Sequence, residues 1–220
     1  MGNIIIFAGG FGSGKSEVAL NYAMQRAKGS EGLILADLDL VNPYFASRDL
    51  RDTLEQAGIR LVAPHGELSY SDVPSIPGEI IGLLKQDNEM VIDLAGDEVG
   101  SLVLGYLSSY IIARQSHEFY LVLNPFRPFA QDLESVKLLK GQLEAVARLQ
   151  FTGIVSNPNL LVETSGDLIR SGHESVVEFA KSLGLPIYCL TVERRFYAEL
   201  FPDYGEILQP IELYLKPEWL

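Results

Sequence analysis

The fold of this 220-residue chain is decided by one short stretch, Gly9-Gly10-Phe11-Gly12-Ser13-Gly14-Lys15-Ser16. This stretch matches the pattern G-x-x-x-x-G-K-[ST]. It follows the run Asn3–Ala8, whose apolar residues are typical of a parallel strand covered on both faces. Apolar residues at helical spacing then continue from Ser16 to Lys28. A strand, a glycine loop and a helix in this order predict a loop that binds phosphate groups.

The residue types of this loop suit the chemistry of a nucleoside triphosphate. Glycines let successive backbone N–H groups turn inward around an anion, and the helix N-terminus adds a partial positive charge. Lys15 is predicted to reach the β- and γ-phosphates and to act in catalysis, and Ser16 to offer its hydroxyl to Mg²⁺. A glycine-rich turn kept for packing alone is the competing interpretation. The predicted nucleotide-binding residues of the loop are Gly9, Gly10, Phe11, Gly12, Ser13, Gly14, Lys15, Ser16 and Glu17.

Short apolar runs alternate with amphipathic segments along the rest of the chain. This alternation predicts a three-layer α/β fold with a mainly parallel sheet of about seven strands. We expect a single domain over residues 1–220, with an irregular tail over about 202–220, where prolines recur. The predicted strands are Asn3–Ala8, Leu33–Ala36, Ile59–Val62, Met90–Leu94, Phe119–Leu123, Thr152–Val155 and Pro186–Leu190.

The composition argues against several functional classes, among them nucleic-acid-binding and membrane proteins. Seventeen Lys and Arg against 29 Asp and Glu leave a net charge of −12, so we expect no broad binding to nucleic acid or to an anionic membrane. No apolar stretch is long enough to span a bilayer, and the N-terminus has no basic region typical of a signal peptide. We therefore expect a soluble, cytoplasmic protein. Cys189 has no thiol partner and lies in an apolar run, which favours a buried core residue.

Two predicted strands end in carboxylates that suit a magnesium site. Asp93 lies at the C-terminal end of the strand predicted over Met90–Leu94, at the edge of the sheet where parallel strands bind ligands. Gly96 and Asp97 follow it, in a turn that is predicted to sense the γ-phosphate. Asp at a strand end also occurs as a plain helix cap, which is the alternative for Asp93.

The other acidic strand end is Asp37-Leu38-Asp39. Alternation along an extended segment places the two carboxylates on one face. One of them suits the magnesium shell and the other the orientation of an attacking water. A solvated strand end before the Asn42-Pro43 turn is the competing interpretation.

Together these motifs resemble the MinD/ParA and nitrogenase-iron-protein group of SIMIBI-class P-loop ATPases. The resemblance implies a Walker B role for Asp93, Mg²⁺ binding by Asp37 together with Ser16 and Asp93, and positioning of the hydrolytic water by Asp39. It also implies that Asn157, after the run Gly153–Ser156, hydrogen-bonds the adenine base; a plain turn before Pro158 is the alternative. The implied ligands are ATP and Mg²⁺.

The chain departs from this group in ways that bear on function. Gly10 stands where many members carry a lysine that reaches across a dimer, and the cluster-binding cysteines of the iron protein are absent. We expect a slow ATPase that acts as a nucleotide-dependent switch for an unknown protein partner, and that forms a homodimer. A small-molecule kinase or ATP-dependent ligase using the same loop is the alternative, and a nonenzymatic nucleotide-binding scaffold is a third. The acceptor, the pathway and the role of residues 64–77 do not follow from the sequence.

Overall fold

A computed structural model describes residues 2–29, 32–38, 50–63, 78–95, 98–114 and 116–215. The strands are β1 Ile4–Ala8, β2 Ile34–Leu38, β3 Arg60–Val62, β4 Met90–Leu94, β5 His117–Leu123, β6 Gly153–Ser156, β7 Ile187–Glu193 and β8 Leu208–Ile211. The α-helices are α1 Lys15–Arg26, α2 Arg51–Gln56, α3 Ile80–Leu84, α4 Glu98–Ala113, α5 Leu133–Ala147, α6 Gly166–Leu183 and α7 Tyr197–Tyr204.

The eight strands of the described residues form one parallel sheet in the order β3-β2-β4-β1-β5-β6-β7-β8. The chain first builds outward on one side of β1 and then, after β4, on the other side. This reversal places the carboxyl end of β1 at the switch point where open α/β sheets bind ligands. The predicted three-layer fold is confirmed, with eight strands where the sequence predicted about seven.

The two faces of the sheet are covered by different helices. One buried cluster joins the sheet to helices on the face opposite α1, through residues such as Leu104, Val136 and Val176. The other joins Ile5, Phe7 and their neighbours to α1 and α2. Strands buried on both faces are typically continuous apolar runs, and β1, which is apolar throughout, is buried at every position.

The C-terminal region is more regular than the sequence suggests. Pro202 lies within α7, and β8 joins the edge of the sheet, although both were expected in an irregular tail. Proline lacks a backbone N–H, so Pro210 is compatible with an edge strand, where one side needs no partner. After β8 the segment 212–215 crosses onto α1, where Tyr214 and Leu215 pack against the second cluster. No helix among the described residues is both long and apolar enough to cross a membrane.

Candidate functional site

The predicted phosphate-binding loop connects β1 directly to α1. Gly12 and Gly14 have φ angles of 76° and 84°, which residues with a side chain rarely adopt. A Cβ on Gly14 would lie 2.3 Å from Nδ2 of Asn157, so glycine is required there. No side chain caps the N-terminus of α1, and first-turn N–H groups without a side-chain cap are suited to an anion. The loop has the geometry that its sequence pattern predicts.

The side chains of the loop are arranged around this turn. Lys15 is 8% exposed and begins α1, and Ser16 is half-buried beside it. Oγ of Ser13 is buried and has no hydrogen-bond partner among the described residues. Phe11, by contrast, is 70% exposed at the outer turn of the loop. The polar groups that suit phosphate and Mg²⁺ are therefore the inner ones.

Two buried carboxylates lie on the α1 face of the sheet. Asp37 of β2 and Asp93 of β4 are paired in the register of the sheet, and Asp93 is paired on its other side with Phe7 of β1. Leu35, two residues before Asp37, packs beneath α1, so alternation directs Asp37 to the same face. The exposures of Asp37 and Asp93 are 0% and 1%. Two neighbouring carboxylates buried in this way favour a cation or a proton between them.

This donor set fits Mg²⁺. The ion prefers oxygen ligands and is commonly held by one or two carboxylates, with phosphate and water completing its shell. Among the described residues no group of three or more His, Cys, Asp or Glu side chains could hold a metal alone. The other predicted residues here, Asp39, Gly96 and Asp97, lie outside the described residues.

Asn157 holds the loop from the opposite side of β1. Its amide Nδ2 donates to the carbonyl oxygen of Ser13 at 2.8 Å, and its Oδ1 accepts from the hydroxyl of Thr191 at 2.9 Å. Asn157 is only 4% exposed. Of the amide's two N–H bonds, one is engaged with the loop. The structure thus gives Asn157 a role in fixing the loop, and base recognition stays a prediction.

The segment after β5 packs against the loop and was not singled out for it by the sequence. A Cβ on Gly10 would lie 2.7 Å from Cβ of Phe129, so Phe129 occupies the space that a side chain at position 10 would need. The stem of Arg127 lies against Gly12, where a Cβ would lie 3.3 Å from its Cδ. Nε of Arg127 is buried with no hydrogen-bond partner among the described residues. This segment brings a cation to the phosphate loop.

Glu17 has partners other than those expected. Its carboxylate accepts the backbone N–H groups of Tyr214, at 2.6 Å, and Leu215, at 3.1 Å. The predicted nucleotide-binding residue thus holds the C-terminal segment against α1. The polar residues of α1 recur at four-residue spacing, which could have indicated one contact face. Nothing in the sequence showed what that face would contact.

Two cavities open beside α1. The larger, about 370 Å³, lies under the second half of the helix and is lined by residues that include Tyr22, Tyr188 and Cys189. Burial raises the pKa of the Cys189 thiol to about 12, which agrees with an inert core residue. The smaller cavity, about 160 Å³, lies beside the first turn of α1, where Glu17 lines it. It is lined by Glu17, Leu161, Val162, Glu193, Arg195, Leu213 and Leu215.

Comparisons with known proteins agree with this architecture. No family model matches the chain, and no curated protein matches it. Several solved structures are similar in fold. FtsY, the signal recognition particle receptor of Elizabethkingia anophelis, aligns with a TM-score of 0.57 and 20% identity over 86% of this chain and 58% of its own. FtsY of Thermotoga maritima aligns with 0.60 and 15% identity, over 87% and 62%.

The 54 kDa signal recognition particle protein of Aeropyrum pernix, solved in complex with GDP, gives a TM-score of 0.55 and 20% identity, over 86% of this chain and 41% of its own. The chain thus spans about three fifths or less of these neighbours. At such identities the likeness establishes the fold alone, which is the P-loop fold that these neighbours share. The narrower likeness to MinD and ParA stays a prediction.

Proposed function

We propose that this chain binds Mg²⁺–ATP, hydrolyses it slowly and acts as a nucleotide-dependent switch for a protein partner. The observation that supports the proposal most is the loop between β1 and α1, with Asp37 and Asp93 buried on the face that α1 covers. A phosphate nest and two carboxylates at adjacent strand ends are what binding of a Mg²⁺–triphosphate requires.

Each residue then has a defined task. Lys15 and the N–H groups of the loop bind the phosphates, and Ser16, Asp37 and Asp93 would hold Mg²⁺, which neutralises phosphate charge. Asp39 is proposed to orient the attacking water. Little covalent chemistry is asked of the protein, because positioning and charge stabilisation lower most of the barrier to phosphoryl transfer.

The base is proposed to be adenine. The guanine-reading pattern Asn-Lys-x-Asp is absent after β6, because Asn157 is followed by Pro158-Asn159-Leu160. Two structural neighbours were solved in complex with GDP, which makes guanine the alternative to test. The cavity of about 160 Å³ beside the first turn of α1 is the place proposed for the base, since Glu17 in its lining directly follows Ser16.

Calorimetry with Mg²⁺–ATP and Mg²⁺–GTP tests the binding proposal. We expect micromolar binding of ATP, weaker binding of GTP, and loss of both in Lys15→Ala, because Lys15 pairs with charge already present in the bound ground state. Lys137→Ala is the matched control, since Lys137 is a surface residue of α5. Lys15→Ala binding either nucleotide like the wild type would overturn the proposal.

Hydrolysis has its own test. Asp39→Ala is expected to lower kcat strongly and to leave the affinity for ATP nearly unchanged, because a water-orienting carboxylate acts mainly in the transition state. Phosphate release is measured with and without a panel of metabolites. Transfer of phosphate to a metabolite, with no release to water, would replace the ATPase by the kinase or ligase alternative.

We also propose a homodimer that forms, at least transiently, at the nucleotide-bearing edge, and a cytoplasmic location. The resemblance supports the dimer, but Phe129 fills the space beside Gly10, so any dimer forms without a lysine from this position. Light scattering of the apo, ADP-bound and non-hydrolysable-ATP-bound protein tests this proposal. Only monomer in all three states would contradict it.

A further inference from the structure

The C-terminal segment is held along α1 by three side chains that stand four residues apart. Gln25 donates to the carbonyl oxygen of Pro210 at 3.3 Å. Asn21 donates to the carbonyl oxygen of Glu212 and accepts from its N–H, both at 2.8 Å. Glu17 then accepts from Tyr214 and Leu215. The segment therefore runs antiparallel to the helix, toward the phosphate loop, with its backbone hydrogen-bonded at each turn.

A second contact ties the same segment to the end of β7. Nε of Arg194 donates to the carboxylate of Glu212. Arg195, the next residue, pairs with Glu193 at 2.8 Å. The carboxyl end of β7 and the C-terminal segment are thus fixed to one another on the side of α1 that faces the cavity of about 160 Å³.

Apolar side chains approach this cavity from two different parts of the chain. Leu161 and Val162, just after β6, are 36% and 71% exposed. Leu213 and Leu215 of the C-terminal segment line the same cavity. Mostly apolar walls with a few polar groups are typical of small-molecule sites, and a flat heterocycle with polar edges has the chemistry to match both.

The orientation of Glu17 removes an electrostatic conflict. A carboxylate directly after the phosphate-binding Ser16 would repel a triphosphate if it pointed into the loop. Two backbone N–H groups hold it toward the C-terminal segment instead. Hydrogen bonds to a charged acceptor are stronger than neutral ones, so this contact is well suited to fix the segment.

We propose that the segment 212–215 forms one wall of the base site, with Leu213 and Leu215 packed on a purine ring and Leu161 and Val162 on the other side. Glu17 is a positioning residue for that wall and contacts neither phosphate nor Mg²⁺. This inference rests on the proposed nucleotide binding and adds to it the ring's contact surface. Its consequence is that the C-terminal segment contributes to affinity for the base and not to affinity for the phosphates.

The test compares ligands that share phosphates but differ in the base. Calorimetry is run with Mg²⁺–ATP, Mg²⁺–ADP and Mg²⁺–tripolyphosphate on the wild type, Leu213→Ala and the control Ile207→Ala, an exposed apolar residue outside the cavity lining. In Leu213→Ala we expect the affinities for ATP and ADP to fall together, by about fivefold, as apolar contact with the ring is lost. Binding of tripolyphosphate should stay unchanged.

Glu17→Gln supplies a second variant, which keeps the size of the side chain. We expect equal loss of ATP and ADP affinity, unchanged or tighter tripolyphosphate binding, and faster hydrogen exchange at the N–H groups of Tyr214 and Leu215. Selective loss of tripolyphosphate binding, or wild-type affinity for both nucleotides in Leu213→Ala, would overturn the inference. A wild type that binds neither nucleotides nor tripolyphosphate would instead overturn the proposed function.

Discussion

The phosphate loop is supported by opposite means on the two sides of β1. Toward β4 and β2 the described residues place two buried carboxylates, Asp37 and Asp93. Toward β5 and β6 they place two buried neutral amides, Asn124 and Asn157, whose hydrogen bonds are made within the protein. The acidic side suits a cation that arrives from solution, whereas the amide side fixes the conformation of the loop before any ligand binds. The two sides of the loop therefore have different tasks.

Neutralising a carboxylate on the acidic side should have the largest effect on activity. Asp93→Asn keeps the shape of the side chain but removes one charge from the proposed magnesium site, so we expect nucleotide hydrolysis to fall by about 100-fold. The free energy of unfolding should stay the same or increase, because like charges buried together destabilise the apo protein. Phosphate release over a Mg²⁺ titration, with urea unfolding alongside, measures both. Wild-type turnover across the titration would remove Asp93 from the site.

Removing an amide from the other side should instead lower the free energy of unfolding. Asn157→Ala leaves the carbonyl oxygen of Ser13 without the amide that donates to it, and it leaves the hydroxyl of Thr191 with only the carbonyl oxygen of Ser156, at 3.2 Å. We expect a loss of about 2–4 kcal/mol in the free energy of unfolding, since buried polar groups without partners are costly. Thr191→Val removes one end of the network and should cost less. Urea unfolding of the apo protein checks both variants, and an Asn157→Ala protein as stable as the wild type would contradict this role.

Removing the charge of Arg127, beside the loop, should have a smaller effect, on the affinity for nucleotide. Arg127 lies on the amide side yet carries charge, so Arg127→Gln should weaken ATP binding by about fivefold and ADP binding by less. Arg148→Gln, at the exposed C-terminus of α5, is the control of equal charge. Calorimetry at two salt concentrations separates the cases. Equal loss for ATP and ADP would show that Arg127 acts by packing on Gly12.

The smallest effect concerns His173, whose Nδ1 lies 2.9 Å from Oγ of Ser156 on the amide side. Burial lowers the pKa of His173 from its ordinary value of 6.5. The unfolded chain therefore takes up a proton at a higher pH than the native protein, and stability is lost as the pH falls below about 6.5. Urea midpoints at pH 7.5 and 5.5 measure this slope. His173→Gln should reduce the difference in stability between the two pH values, and an unchanged difference in this variant would assign the pH dependence to another group.

Sequence patterns predicted the parts of this molecule that are governed by local rules. The glycine loop, the apolar run of β1 and the helix behind it follow from backbone conformation and burial, and all three are confirmed. Patterns did not reveal the contacts of Arg127, Thr191 or Glu17, since these depend on segments that meet only in the folded chain. The placement of β8 was missed for a similar reason, because a proline-containing strand is recognisable only by its neighbour β7.

The two margins of the sheet have a consequence for solubility. At one margin β3 is only three residues long, and at the other β8 contains Pro210. A strand with open N–H and C=O groups can pair with another copy of the same chain and start fibrous aggregation. A short strand offers few such groups, and a proline interrupts the row of donors. The same residue that made the C-terminal region look irregular is thus suited to keep concentrated protein from polymerising through its sheet.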